Sequence, residues 1–168
     1  MFTLDLSVGA VLHLDGKLLL NRTPAEDSTV YSCFGGGFML GRPLPQMLED
    51  TLSQQFGLPV QSGKLLYILE RFYQRGKMDV HEIVHYYQLV NIELPADELL
   101  EQISQHGPAE LQPELLDPAQ LQPGSLLPEA LRQALVTDVQ DDFNVSAKLI
   151  VDNDLAERCN SASGIFRV

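Results

Sequence analysis

Residues 36–58, GGFMLGRPLPQMLEDTLSQQFGL, constrain what this chain can become more than any other stretch. Glycines 35–37 allow a tight turn and let the backbone approach another chain or a ligand. Pro43 and Pro45 stand where a helix can begin, because proline is tolerated in its first turn. Met47, Leu48, Leu52 and Phe56 then supply an apolar face, and Gly57 is placed to end the helix in a left-handed conformation. The spacing predicts a helix over 45–56, held between two loops.

The flanking segments read as sheet. Two apolar runs within 6–21 surround Asp15-Gly16, a dipeptide suited to a two-residue hairpin in which both central residues need positive φ. Residues 22–30 are polar and predict a loop, and a short strand is expected at 31–34, ending in the glycine turn. Residues 64–74 and 79–92, separated by Arg75-Gly76-Lys77, predict an antiparallel pair. A short amphipathic helix is expected at 95–107, then a proline-punctuated segment at 108–128 and a final helix over 128–135. A further strand is expected at 145–151, and from Asn153 onward the chain reads as a loose polar tail.

The chain has 168 residues and a formal charge of −12. That length suits one domain with a sizeable core. The charge argues against nucleic acid, which requires a basic footprint, and against anionic membranes. It does not exclude a small anionic ligand met by a local arginine or lysine, although a solvated acidic surface is its simplest meaning. No apolar run is long enough to span a bilayer, and the N-terminus lacks the pattern of a signal peptide. Cys33 and Cys159 form no disulfide framework. A cytoplasmic location is the expectation.

Residues 36–58 resemble the Nudix box, G-x5-E-x7-R-E-U-x-E-E-x-G-U with U apolar, and align to it without a gap. Gly36, Leu52, Gly57 and Leu58 match, and these positions shape the loop–helix–loop. The remaining positions, which should be Glu, Arg, Glu, Glu and Glu, hold Arg42, Asp50, Thr51, Gln54 and Gln55. Tyr31 stands where many members have tryptophan, and residues 64–87 are similar to one branch of the family. The resemblance covers about residues 5–136. It implies an α/β (α+β) Nudix fold, a mixed β-sheet sandwiched between α-helices, with 1–136 as the Nudix-like domain. Residues 137–168 are then a C-terminal extension of the same domain, with one strand and a tail.

In that family the helix presents carboxylates to Mg2+ or Mn2+, which bind a diphosphate and activate water. Mg2+ demands hard, anionic oxygen ligands, and helix positions three and four apart share a face. Here those positions are Thr51, Gln54 and Gln55; glutamine offers a carbonyl oxygen but no charge and no base. The family's net charge of −3 over the five positions becomes zero, so metal affinity is expected to be poor and no metal site is assigned.

A displaced metal site would draw on Asp50, Glu70, Glu82 and Glu110, with Asp50 and Glu110 as the catalytic candidates. The alternative is that Glu49 and Asp50 are solvent-facing helix acids. Gly36, Gly37, Arg42, Glu70 and Glu82 are the candidate ligand-binding residues, with Arg42 meeting a phosphate directly or simply lying exposed. His81 and His85, four apart on a strand, are about 13 Å apart and make no metal pair. His13 and His106 have no assignable partners, and no catalytic triad, P-loop or zinc site is visible.

The expectation is thus a Nudix-fold protein with a degraded catalytic box that binds a nucleotide-like ligand or a protein partner. The alternative is an active hydrolase of nucleoside diphosphate derivatives, dependent on Mg2+ or Mn2+ at a displaced site. A homodimer joined through residues 137–168 is a further open arrangement.

Overall fold

A computed structural model describes residues 2–155 and 164–167. Strands β1 (Phe2–Val11), β5 (Gly35–Gly37), β6 (Gln61–Arg75), β7 (Met78–Val90), β9 (Lys148–Asn153) and β10 (Gly164–Arg167) form a six-stranded sheet in the order β10-β9-β6-β7-β1-β5. The sheet is mixed: β1 runs parallel to β7 and β6 parallel to β9, while the other pairs are antiparallel. A smaller sheet joins β2 (His13–Leu14), β3 (Lys17–Pro24), β4 (Thr29–Ser32) and β8 (Pro113–Leu116). Asp15 and Gly16 take φ of 50° and 79°, as the hairpin reading requires.

Strand alternation sends successive side chains of the large sheet to two different cores. On one face Val8, Ala10 and Leu89 pack with helix α1 (Leu44–Phe56) through Met47, Leu48, Leu52 and Phe56. Helix α2 (Ala96–His106) closes that core with Leu99 and Ile103. On the other face Tyr67, Leu69, Val84, Tyr86 and Ile150 meet Leu131, Ala134 and Leu135 of helix α3 (Glu129–Asp138). Each fully buried leucine or phenylalanine stabilises by roughly 1.5–3 kcal/mol relative to exposure. The expected sheet sandwiched between helices is the fold observed.

One buried polar cluster fastens α3 to the large sheet. Tyr67 Oη donates to Asp138 Oδ2 at 2.8 Å, and Lys148 Nζ to Asp138 Oδ1 at 2.5 Å, with Asp138 only 3% exposed.

Four local expectations differ from the structure. Glycines 35–37 form strand β5 beside β1 rather than a turn. The close approach is nevertheless real, since a β-carbon at Gly35 would stand 2.1 Å from the Val8 carbonyl oxygen. The 22–30 loop is shorter than expected, because β3 extends to Pro24 and β4 begins at Thr29. Within 108–128, residues Pro113–Leu116 pair with β3. Beyond Asn153, residues Gly164–Arg167 form β10 in place of a tail, whereas Cys159 lies outside the described residues. No helix among the described residues is long and apolar enough to cross a membrane.

Candidate functional site

Helix α1 is positioned by its ends. Pro43 caps it without a side-chain hydrogen bond, and Gly57 closes it at φ 65° and ψ 22°. Its buried side chains fix its rotation against β1, which turns Asp50, Thr51 and Gln54 toward a cleft of about 520 Å³. Gly37, Met39, Arg42, Met47 and Ser53 complete the lining. Gly36 lies against Thr51, so the glycine strand and the helix meet directly beneath the cleft.

The chemistry at the five box positions is neutral overall. Arg42 and Asp50, both about half exposed, form an ion pair through Arg42 Nη1 and Asp50 Oδ2. Thr51 and Gln54 add a hydroxyl and an amide. Gln55 has a buried side-chain oxygen without a hydrogen-bond partner, beside a second opening at Thr51, Gln54, His106 and Pro108. A divalent ion needs several anionic oxygens converging on one point. The site instead offers amides, the hydroxyls of Thr51 and Ser53, and a single carboxylate already engaged by a guanidinium. These residues do not fit Mg2+ or Mn2+.

The other acids lie elsewhere. Glu49 is partly buried rather than solvent-facing: its Oε1 accepts from Ser62 N at 2.9 Å and Ser62 Oγ at 2.6 Å, tying α1 to the start of β6. Glu82 stands opposite Arg71 across the β6–β7 ladder, and Glu70 opposite Ile83, so the two glutamates project from opposite faces of the sheet. Arg71 lies between Glu82, at 3.5 Å, and Asp152, at 3.2 Å, with its guanidinium carbon 5.0 Å from the Tyr73 ring centroid. Glu70 lies 3.9 Å from His81 Nε2. Glu110 is exposed on the loop that follows α2. Among the described residues, no three His, Cys, Asp or Glu side chains are grouped so as to hold a metal ion.

A smaller cleft of about 280 Å³ opens on the α3 side of the sheet, between Gly36, Arg71, Glu82 and Leu127. Cys33 borders it, and desolvation by the surrounding core pushes its thiol up to about 12, which leaves it protonated and unreactive at neutral pH. On the opposite face, desolvation lowers the pKa of His85 and favours the neutral ring. Of the candidate ligand residues, Gly36 and Gly37 border the clefts, Arg42 lines the larger, Glu82 the smaller, and Glu70 neither. Sequence reasoning did not single out Arg71. The two-residue connection Gly76-Lys77 pairs Arg75 with Met78 and, counting back, Arg71 with Glu82, a signal already present in the chain.

No protein-family model and no curated protein matches the chain. Solved structures do resemble it. A NUDIX hydrolase from Nitrosomonas europaea superposes with a TM-score of 0.58 at 14% identity, covering 89% of this chain and 79% of that one. A UDP-X diphosphatase gives 0.54 at 16% identity, over 89% of this chain and 68% of that one. An ADP-ribose pyrophosphatase from Streptococcus suis gives 0.51 at 15% identity, over 89% and 100%. At such identities the likeness establishes the fold, and the fold is that of the Nudix hydrolases.

Proposed function

We propose that this Nudix-fold chain binds a nucleotide-like ligand in the cleft beside α1 and does not cleave it by the metal route of its fold relatives. One observation carries the reading: Arg42 and Asp50, both lining the cleft, pair with each other, while Thr51, Gln54 and Gln55 occupy the box positions where the family has metal-binding carboxylates. Fold alone does not fix function, and these side chains are what set the chemistry of the cleft.

The cleft suits a ligand met by hydrogen bonds and apolar contact. Met39 and Met47 offer adaptable apolar surface. Thr51, Ser53 and Gln54 offer neutral donors and acceptors, and Arg42 retains guanidinium N–H groups beyond the one given to Asp50. A phosphate would take those donors as a charge-assisted contact that needs no metal. Resemblance to an ADP-ribose pyrophosphatase and a UDP-X diphosphatase makes nucleoside diphosphate derivatives the class to test.

The test is a panel of nucleoside diphosphate sugars, dinucleotides and triphosphates, assayed for turnover with Mg2+ or Mn2+ and for binding by calorimetry. The expected result is binding without turnover. Turnover abolished by a chelator would overturn the non-hydrolytic reading and establish a displaced metal site. Folded protein that binds no member of the panel would overturn the ligand assignment.

A further inference from the structure

The smaller cleft on the α3 side holds a polar group that the fold does not use. Tyr86 lines that cleft and is only 9% exposed, yet its hydroxyl has no hydrogen-bond partner among the described residues. The other buried tyrosine of this core, Tyr67, donates to Asp138 at 2.8 Å. Gly9, the neighbour of Tyr86 on β1, makes room for the ring: a β-carbon there would stand 2.4 Å from Tyr86 Cε1. A buried hydroxyl without a partner weakens a fold, because the group gives up water and gains nothing in return. Burial, with Cys33 and Glu82 adding to it and Arg71 opposing, raises the Tyr86 pKa well above its ordinary 10, so the hydroxyl keeps its proton and can donate.

Arg71 and Glu82 stand in the same wall. Arg71 is shared between Glu82 at 3.5 Å and Asp152 at 3.2 Å, one cation against two carboxylates, which leaves a net −1. A phosphate would add negative charge to a group that is already negative. An uncharged ligand group suits it better. Glu82 contacts Arg71 through Oε2 alone, so its other oxygen is left to accept an N–H, and Tyr86 has a hydroxyl to donate to a carbonyl or a ring nitrogen. The rest of the wall, with Gly9, Gly35, Gly36, Leu69, Val84 and Leu127, is glycine and apolar, a surface on which a flat ring can lie.

The two clefts are neighbours. Gly36 borders the smaller and Gly37 the larger, and β5 is the outermost strand of the large sheet among the described residues. A third opening of about 450 Å³, at Phe38, shares Ser7 and Glu82 with the smaller cleft and continues the path around the end of β5. On the reading that the chain binds a nucleotide-like ligand beside α1, we propose that the ligand's uncharged heterocyclic ring enters the smaller cleft, where Glu82 accepts from a ring N–H and Tyr86 donates to the acceptor beside it. Glu82 and Tyr86 are then the residues that select among ligands, and the class they select is a heterocycle whose edge carries a donor next to an acceptor. The phosphates stay on the Arg42 side of β5.

The full chain is titrated by calorimetry with UDP-glucose, GDP-mannose and ADP-ribose, and with inorganic diphosphate as the probe that lacks a heterocycle. Tyr86→Phe is expected to weaken the tightest of these nucleotides about three- to tenfold. Its melting temperature is expected to equal or exceed that of the wild type, because the hydroxyl supports no contact of the fold. Glu82→Gln is expected to weaken the same nucleotide about tenfold or more, since it removes a charge-assisted acceptor. Inorganic diphosphate is expected to bind more weakly than the nucleotides and equally to wild type and Tyr86→Phe. Nucleotide affinity unmoved by both variants would overturn the ring assignment and leave binding beside α1 standing, and so would inorganic diphosphate bound as tightly as the nucleotides. A Tyr86→Phe protein that melts below the wild type would assign the hydroxyl to the fold and overturn it as well. A wild type that binds no nucleotide overturns both readings.

Discussion

Gly36 and Thr51 are in such close contact that a β-carbon on residue 36 would lie 2.9 Å from Thr51 Cγ2. Strand β5 and helix α1 therefore fit together only without a side chain at position 36. Gly36→Val is expected to destabilise the protein by about 1–3 kcal/mol through overpacking, and Gly36→Ala by less. Thermal unfolding of both variants checks the order. A Gly36→Val protein as stable as wild type would mean that the junction yields.

If the neutral lining is what excludes a metal, restoring the charge should admit one. The combined variant Arg42→Glu, Asp50→Arg, Thr51→Glu, Gln54→Glu and Gln55→Glu is expected to gain a rise in melting temperature with millimolar Mg2+ that the wild type lacks, since only a bound ion stabilises by linkage. Equal Mg2+ responses from the two proteins would mean that the neutral lining is not what keeps the metal out.

Asp138 is buried and receives both Tyr67 and Lys148. Asp138→Asn keeps the shape but leaves the Lys148 ammonium without its counter-charge. A loss of about 2–4 kcal/mol is expected, measured by denaturant unfolding. A loss below about 0.5 kcal/mol, within the scatter of surface substitutions, would show that the cluster is incidental.

Hydrogen bonding from Arg132 holds the Glu129 carboxyl well below its ordinary 4.5, at about 2. A depressed folded-state pKa contributes stability that is complete above about pH 4.5 and is lost as pH falls toward 2. The pair is partly exposed, so the contribution is at most about 1 kcal/mol. Glu129→Gln is expected to be less stable than wild type at pH 6, with the difference closing by about pH 2. A difference that persists at the acid end would point to packing rather than charge.

Much of the fold was legible because its signals are local. Proline at the start, glycine at the end and helical spacing of Met47, Leu48, Leu52 and Phe56 located α1, and Asp15-Gly16 located the first hairpin. Strands β8 and β10 carry no comparable signal, being short segments that become strands by docking on β3 and β9. The glycine strand reads as a turn in the sequence because permissive glycine suits either state, and its pairing with β1 is a tertiary fact. At the site, the altered box was legible residue by residue. The Arg42–Asp50 pair was not, since it spans a loop whose path the sequence does not fix.

The parallel pairing of β1 with β7 has a consequence for how the chain comes to be folded. Phe2 lies beside Asp79 and Val11 beside Gln88, while on its other edge β1 is met over a shorter stretch, by β5 and the flanking Phe34 and Phe38. At ribosomal speeds of about 5–20 residues per second, the first strand waits several seconds for the neighbour that secures it along its length. During that interval the β7-facing edge of its Val8-Gly9-Ala10-Val11 stretch is open in a crowded solution. Strand β1 is thus made well before the neighbour that holds most of its length.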